Sequence, residues 1–159
     1  TLTRWGATLL AVPCNTAHYF INRFREGLPV PLVHIIEETV KAAAALSPKG
    51  AWLTATLGTM GSGLYQKEAE RQGYSFFIPP EEAQRQVQRS IELVKSGKKD
   101  EGGLLLKGVV EGLWRERDLP VCAACTELPL AYDASGLPQE RTVSSLGALC
   151  GACLRRIYG

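Results

Sequence analysis

ATLLAVPCNTAHYFINRFR, residues 7–25, carries the reading of the fold. Ala7 to Val12 is a short apolar run of the kind that forms a buried strand. Pro13-Cys14-Asn15-Thr16 breaks it, and Ala17 to Arg25 follows with Phe20, Ile21 and Phe24 on one helical face. The same phrase returns downstream. Trp52 to Thr56 is apolar, Gly58-Thr59-Met60-Gly61-Ser62-Gly63 is a glycine-rich turn, and a helical pattern runs on to Gln72. Val121 to Ala124 is a third apolar run, opening at Cys125-Thr126-Glu127. Between these units, Pro29 to Val33 is extended, because each proline fixes its own φ and biases its predecessor away from helix. Ile35 to Leu46 reads as a helix, Tyr74 to Ile78 as a strand ended by Pro79-Pro80, and Glu81 to Lys95 as an amphipathic helix stopped by Gly97. Leu104 to Arg117 continues as helix despite Gly108 and Gly112, each costing about 1 kcal/mol relative to Ala. Tyr132 to Thr142 reads as a surface loop and Ser144 to Tyr158 as a closing helix. Strand, tight turn and helix alternate, so the expected class is α/β with mainly parallel sheet and flanking helices. Such sheets place ligands at the carboxyl ends of their strands.

Composition narrows the function classes. A length of 159 residues, 45% of them hydrophobic and 21% charged, is ordinary globular material with room for a real core. The 18 Lys+Arg against 16 Asp+Glu leave a net charge of +2 with no basic cluster, so neither nucleic acid nor a membrane surface is expected as a partner. The charge-free run from Trp5 to Asn22 holds Pro13, Asn15, Thr16 and His18, which makes it a poor spanning helix. With no signal-peptide pattern, the chain reads as cytoplasmic. Met60 is the only methionine, so Thr1 is not expected to be the natural start. Five cysteines, an odd number, suit free thiols, metal or catalysis better than a disulfide framework.

Three strand ends carry chemically capable turns: Cys14-Asn15-Thr16, Thr56-Leu57-Gly58-Thr59 and Cys125-Thr126-Glu127. A cysteine at a helix start meets unpaired N–H groups and the positive end of the dipole, which lower its pKa. Asn15 and Thr16 offer donors suited to a carboxylate, and Gly58-Thr59 offers a second anion nest. One such cysteine alone would read as a buried, inert thiol. Two at equivalent turns can act together, one removing a proton from carbon while the other delivers one to the opposite face. That inverts a stereocentre without a cofactor.

The motifs VPCNTAHYF (12–20), IIEET (35–39), ATLGTMGSGLY (55–65) and CTELPL (125–130) resemble the aspartate/glutamate racemase family. Glu127, where glutamate racemases usually have His, favours the aspartate branch. The resemblance implies a cofactor-independent amino-acid racemase with Cys14 and Cys125 as acid and base. It further implies that Asn15, Thr16, Thr59 and Thr126 hold the substrate's carboxylate and amino groups, and that Lys95 meets its side-chain carboxylate. Related two-cysteine enzymes act on hydantoins, maleate or arylmalonates, and family members are often homodimers.

Members of the family are longer than this chain and form two pseudo-equivalent lobes with the site between them. The resemblance therefore implies an incomplete first lobe over 1–33, a second α/β lobe over 34–130, and a loop and closing helix over 131–159 that return to the first. Ala124 stands where Gly usually precedes the second cysteine, and Ser144-Ser145 where an Asp is common. An inactive racemase-like fragment is the first alternative. The second is a zinc module built on Cys122-Ala-Ala-Cys125 and Cys150-Gly-Ala-Cys153, two CxxC pairs at an unusually long separation. Otherwise Cys122, Cys150 and Cys153 read as packing thiols, and His18 and His34 as structural.

Overall fold

Apolar residues alternate between two faces along the central strands, and each face finds its own helices. The computed structural model describes residues 2–159; Thr1, which opens the expected first segment, lies outside them. Its larger sheet has four parallel strands in the order β4-β3-β5-β6: Ala51–Thr54 (β3), Phe76–Phe77 (β4), Val121–Ala123 (β5) and Thr142–Ser144 (β6). Ala51, Leu53 and Cys122 point into one core, with helices α2 (Ile35–Leu46), α4 (Leu64–Arg71) and α8 (Ser145–Tyr158) supplying its outer wall. Trp52, Val121 and Ala123 point into the other, against α5 (Glu81–Lys95), α6 (Lys99–Glu116) and α7 (Leu128–Ser135). This period-two division is what a parallel sheet covered on both faces requires. Burying Leu53, Ile91, Leu106 or Leu128 completely contributes about 1.5–3 kcal/mol each.

A second, two-stranded parallel sheet pairs Leu10–Ala11 (β1) with Leu32–Val33 (β2). The expected strand over Ala7 to Val12 shortens to β1, which pairs only with β2 among the described residues. The expected helix over Ala17 to Arg25 shortens to one turn, His18–Ile21 (α1), followed by a 3₁₀ turn at Arg25–Gly27. Its face bearing Phe20 and Phe24 stays exposed, so no tertiary packing extends it.

Helices α2 and α5 have the bounds that spacing predicts. The helix expected from the glycine-rich turn to Gln72 is two, because Gly63 at φ +67° separates α3 (Leu57–Ser62) from α4. Helix α6 begins at Lys99 rather than Leu104: Asp100 and Glu101 favour its first turn, and Gly102 and Gly103 sit inside it. The expected surface loop over Tyr132 to Thr142 is corrected. Helix α7 covers its start, packed on α6, and Thr142 opens β6. Segment 131–159 thus adds a strand to the larger sheet, while α8 packs on α2 and touches β2. Among the described residues, no helix is long and apolar enough to cross a membrane.

Candidate active site

The loop after β1 carries Cys14, Asn15 and Thr16, and anchors at Asn15, Thr16 and His18 hold it. Asn15 is buried; its Nδ2 donates to Ser145 Oγ at 3.0 Å, and its Oδ1 accepts from Tyr65 OH at 2.6 Å. Thr16 Oγ1 lies 2.8 Å from Thr59 Oγ1, which itself accepts from Thr56 Oγ1 at 3.0 Å. His18 Nδ1 lies 2.8 Å from the Cys14 carbonyl. The Cys14 side chain is left exposed.

The second turn follows β3. Thr56 caps α3, its hydroxyl accepting from the Thr59 amide at 3.1 Å. That cap joins the Thr16 and Thr59 hydroxyls in one cluster, so the first and second turns lock together across 40 residues of sequence.

The third turn follows β5. Cys125 is buried, and its thiol donates to Glu127 Oε2 at 2.9 Å. Thr126 Oγ1 donates to the same oxygen at 3.1 Å, and Lys95 Nζ approaches Glu127 Oε1 at 4.0 Å. Burial, then the Glu127 carboxylate, pushes the Cys125 thiol up to about 12. The helix-start argument anticipates a lowered thiol; desolvation and a neighbouring anion outweigh the dipole here. Burial would raise Glu127, yet the hydrogen bonds from Cys125 and Thr126, with Lys95 beside it, hold its carboxyl below the usual range. The resting site therefore has a protonated thiol against an ionised carboxylate.

One cavity of about 100 Å³ collects these turns. Cys14, Asn15, Thr16, Thr59, Lys95, Cys125 and Thr126, the seven residues singled out in the sequence, all line it. Thr56, Ala124 and Glu127 line it too. Thr56 is legible in retrospect as an N-cap three residues before Thr59. Glu127 is legible only as a letter in a motif, since its contacts depend on the side chain folding back over Cys125. Ser145 and Tyr65, which fix Asn15 from behind, stand in stretches the sequence analysis quotes, but nothing local there points to Asn15.

The remaining cysteines stand elsewhere: Cys122 is fully buried in β5, and Cys150 and Cys153 lie on α8. Among the described residues, no group of three or more His, Cys, Asp or Glu side chains is placed to hold a metal ion.

Comparison with known proteins follows the same lines. The family described as Asp/Glu/Hydantoin racemase matches residues 1–148. The chain is 30% identical over 133 residues to the broad specificity amino-acid racemase RacX of Bacillus subtilis, covering 83% of this chain and 57% of that one. It superposes on the aspartate racemase of Picrophilus torridus with a TM-score of 0.80 at 25% identity, over 98% of this chain and 64% of the other. An aspartate racemase homologue from Pyrococcus horikoshii gives 0.77 at 25% identity, over 99% and 70%. The chain thus spans less than two thirds of the length of the first two of these relatives.

Proposed function

The chain belongs to the Asp/Glu/Hydantoin racemase family, and from that premise we propose that it is a cofactor-independent amino-acid racemase of aspartate type, inverting Cα with Cys14 and Cys125. The observation that carries the reading is the shared cavity, where two cysteines from different strand ends meet a ring of hydroxyl and amide groups.

The step balances without a cofactor. A thiolate takes the Cα proton, leaving the electron pair on carbon, and the opposing thiol gives its proton to the other face. The first cysteine ends as thiol and the second as thiolate. The Thr16–Thr56–Thr59 cluster and Thr126 donate to the substrate carboxylate, which draws off the developing charge. Cys125, protonated at rest, supplies the acid in one direction. In the other it starts as the thiolate that the first direction leaves behind, and Glu127 accepts the hydrogen bond of its protonated form. Lys95 attracts a side-chain carboxylate, and its closeness to Glu127 keeps the cavity from being strongly cationic.

L-Aspartate incubated with the chain in deuterated water tests this by proton NMR and chiral analysis. Cα deuteration with appearance of D-aspartate is expected, and Cys14→Ala or Cys125→Ala should lower inversion by at least about 10³-fold. An active Cys14→Ala chain would sink the two-base scheme. The exposure of Cys14 favours a second reading, in which the cavity is too open to exclude water and inversion is lost. Exchange without inversion, or no exchange from a folded chain with several amino acids, would select that reading.

A further inference from the structure

Beneath the first cysteine lies a histidine pair that the racemisation scheme does not use. His18 is fully buried and His34 is 5% exposed; their rings meet edge to face with centroids 4.4 Å apart. The neighbours dictate the protons. The Cys14 carbonyl can only accept, so His18 carries its hydrogen on Nδ1 and donates at 2.8 Å. Its Nε2 is buried without a partner among the described residues. The Glu37 amide can only donate, so His34 accepts at Nδ1, capping α2 at 3.4 Å. The hydrogen of His34 is therefore on Nε2, which donates to Asn22 Oδ1 at 2.8 Å. Asn22 in turn donates its backbone N–H to the His18 carbonyl. Cys14, α1 and the start of α2 are stapled together by two neutral imidazoles.

We propose that His18 is a positioning residue for Cys14, and that acid releases it: a proton on the orphaned Nε2 has no acceptor there, so the ring must leave its seat and let the Cys14 turn go. A proton on His34 does the same by removing the α2 cap and setting a positive charge at the positive end of that helix. The charged groups sharing a cavity with His34 are Arg25 and Glu26 before β2, Glu37 on α2, and Lys67, Glu68 and Arg71 on α4; Arg25 and Glu37 act on His18 as well. Three are cationic and three anionic, and Glu37 is taken up by its ion pair with Arg25. Burial holds both imidazoles below their usual 6.5, His34 at about 4.

The inference rests on Cys14 being the reacting group, so its test reads the thiol directly as well as turnover. Cys14 is titrated with 2,2′-dipyridyl disulfide across acid pH, and its rate is divided by that of exposed Cys150 in the same sample. That ratio is expected to change about tenfold between about pH 7 and about pH 4 as the pair titrates. His18→Asn, combined with His34→Asn, keeps an N–H near the Nδ1 position and leaves neither ring to be protonated; its ratio should stay within about twofold over the same range. His18→Leu, lacking the donor, should show the acid ratio already at neutral pH. Superimposable profiles for the three chains would overturn the proposal. So would nitrogen NMR showing the His18 proton on Nε2, a measurement that decides the matter if a variant does not fold. With turnover, the acidic limb of the kcat/KM profile should move in His18→Asn. Thiol behaviour as expected in a chain that racemises nothing would refute the proposed function and leave the histidine role standing.

Discussion

Cys125 shares one carboxylate oxygen with Thr126, 2.9 and 3.1 Å away, and that arrangement makes Glu127 the strongest lever on the site. Glu127→Gln removes both the charge and the anionic acceptor while keeping the shape. The thiol of Cys125 should then titrate below about 12, because burial remains but the repulsion between thiolate and carboxylate is gone. The ultraviolet absorbance of thiolate against pH, taken as a difference from Cys125→Ala, reads this, and an unmoved titration would assign the whole shift to burial. Behind Asn15, Tyr65→Phe leaves Oδ1 of a buried amide without its 2.6 Å partner and should cost about 1–3 kcal/mol in urea denaturation. Six of the seven cavity residues are legible because each lies in a turn at a strand end, while Lys95, the last residue of α5, is legible only through the family resemblance. The ties of Tyr65 and Ser145 to Asn15 are not, since they reach it from 50 and 130 residues away.

At the scale of the element, regular spacing announces α2 and α5, and their bounds follow from it. Helix α6 begins five residues before the Leu104 start that the sequence suggests, and its first turns take in Gly102 and Gly103. A Cβ on Gly103 would stand 2.7 Å from Ala134 Cβ and 2.8 Å from the Ala134 carbonyl carbon, so this glycine is what lets α6 and α7 touch. A Cβ on Gly108, in the same helix, would meet nothing within 4 Å. The two substitutions should therefore have opposite signs. Gly103→Ala is expected to destabilise by about 1–3 kcal/mol through overpacking. Gly108→Ala should stabilise by up to about 1 kcal/mol through helix propensity and a less mobile unfolded chain. Calorimetric melting of both variants checks this, and destabilisation by Gly108→Ala would mean that its face is covered in solution. Strand β6 and helix α7 do not show in the sequence because a three-residue strand and an eight-residue helix carry too little periodicity to stand out from a loop.

The whole molecule has a consistent response to acid. Burial lowers His34 to about 4 from its usual 6.5, and lowers His18 in the same direction. A histidine whose folded pKa is depressed binds its proton more readily when unfolded, so its contribution is intact above about 6.5 and fades as pH falls towards 4. Glu37, Glu68 and Glu127 are carboxyls held below their usual 4.5, against the opposing pull of burial, by Arg25, by Arg71 and by Cys125 and Thr126 respectively. Their contributions also fade on acidification, but only below about 4.5. The signs agree and the windows differ, so the melting temperature should be level near neutrality and fall in two stages. The first stage belongs to the histidine pair, and the second to the ion pairs and the site carboxylate. His34→Asn keeps an acceptor for the α2 cap and removes one titrating ring. It should flatten the first stage and leave the second in place. A chain that loses stability only below pH 4.5 would show that the imidazoles are solvated, and would remove the structural basis for tying Cys14 to their protonation.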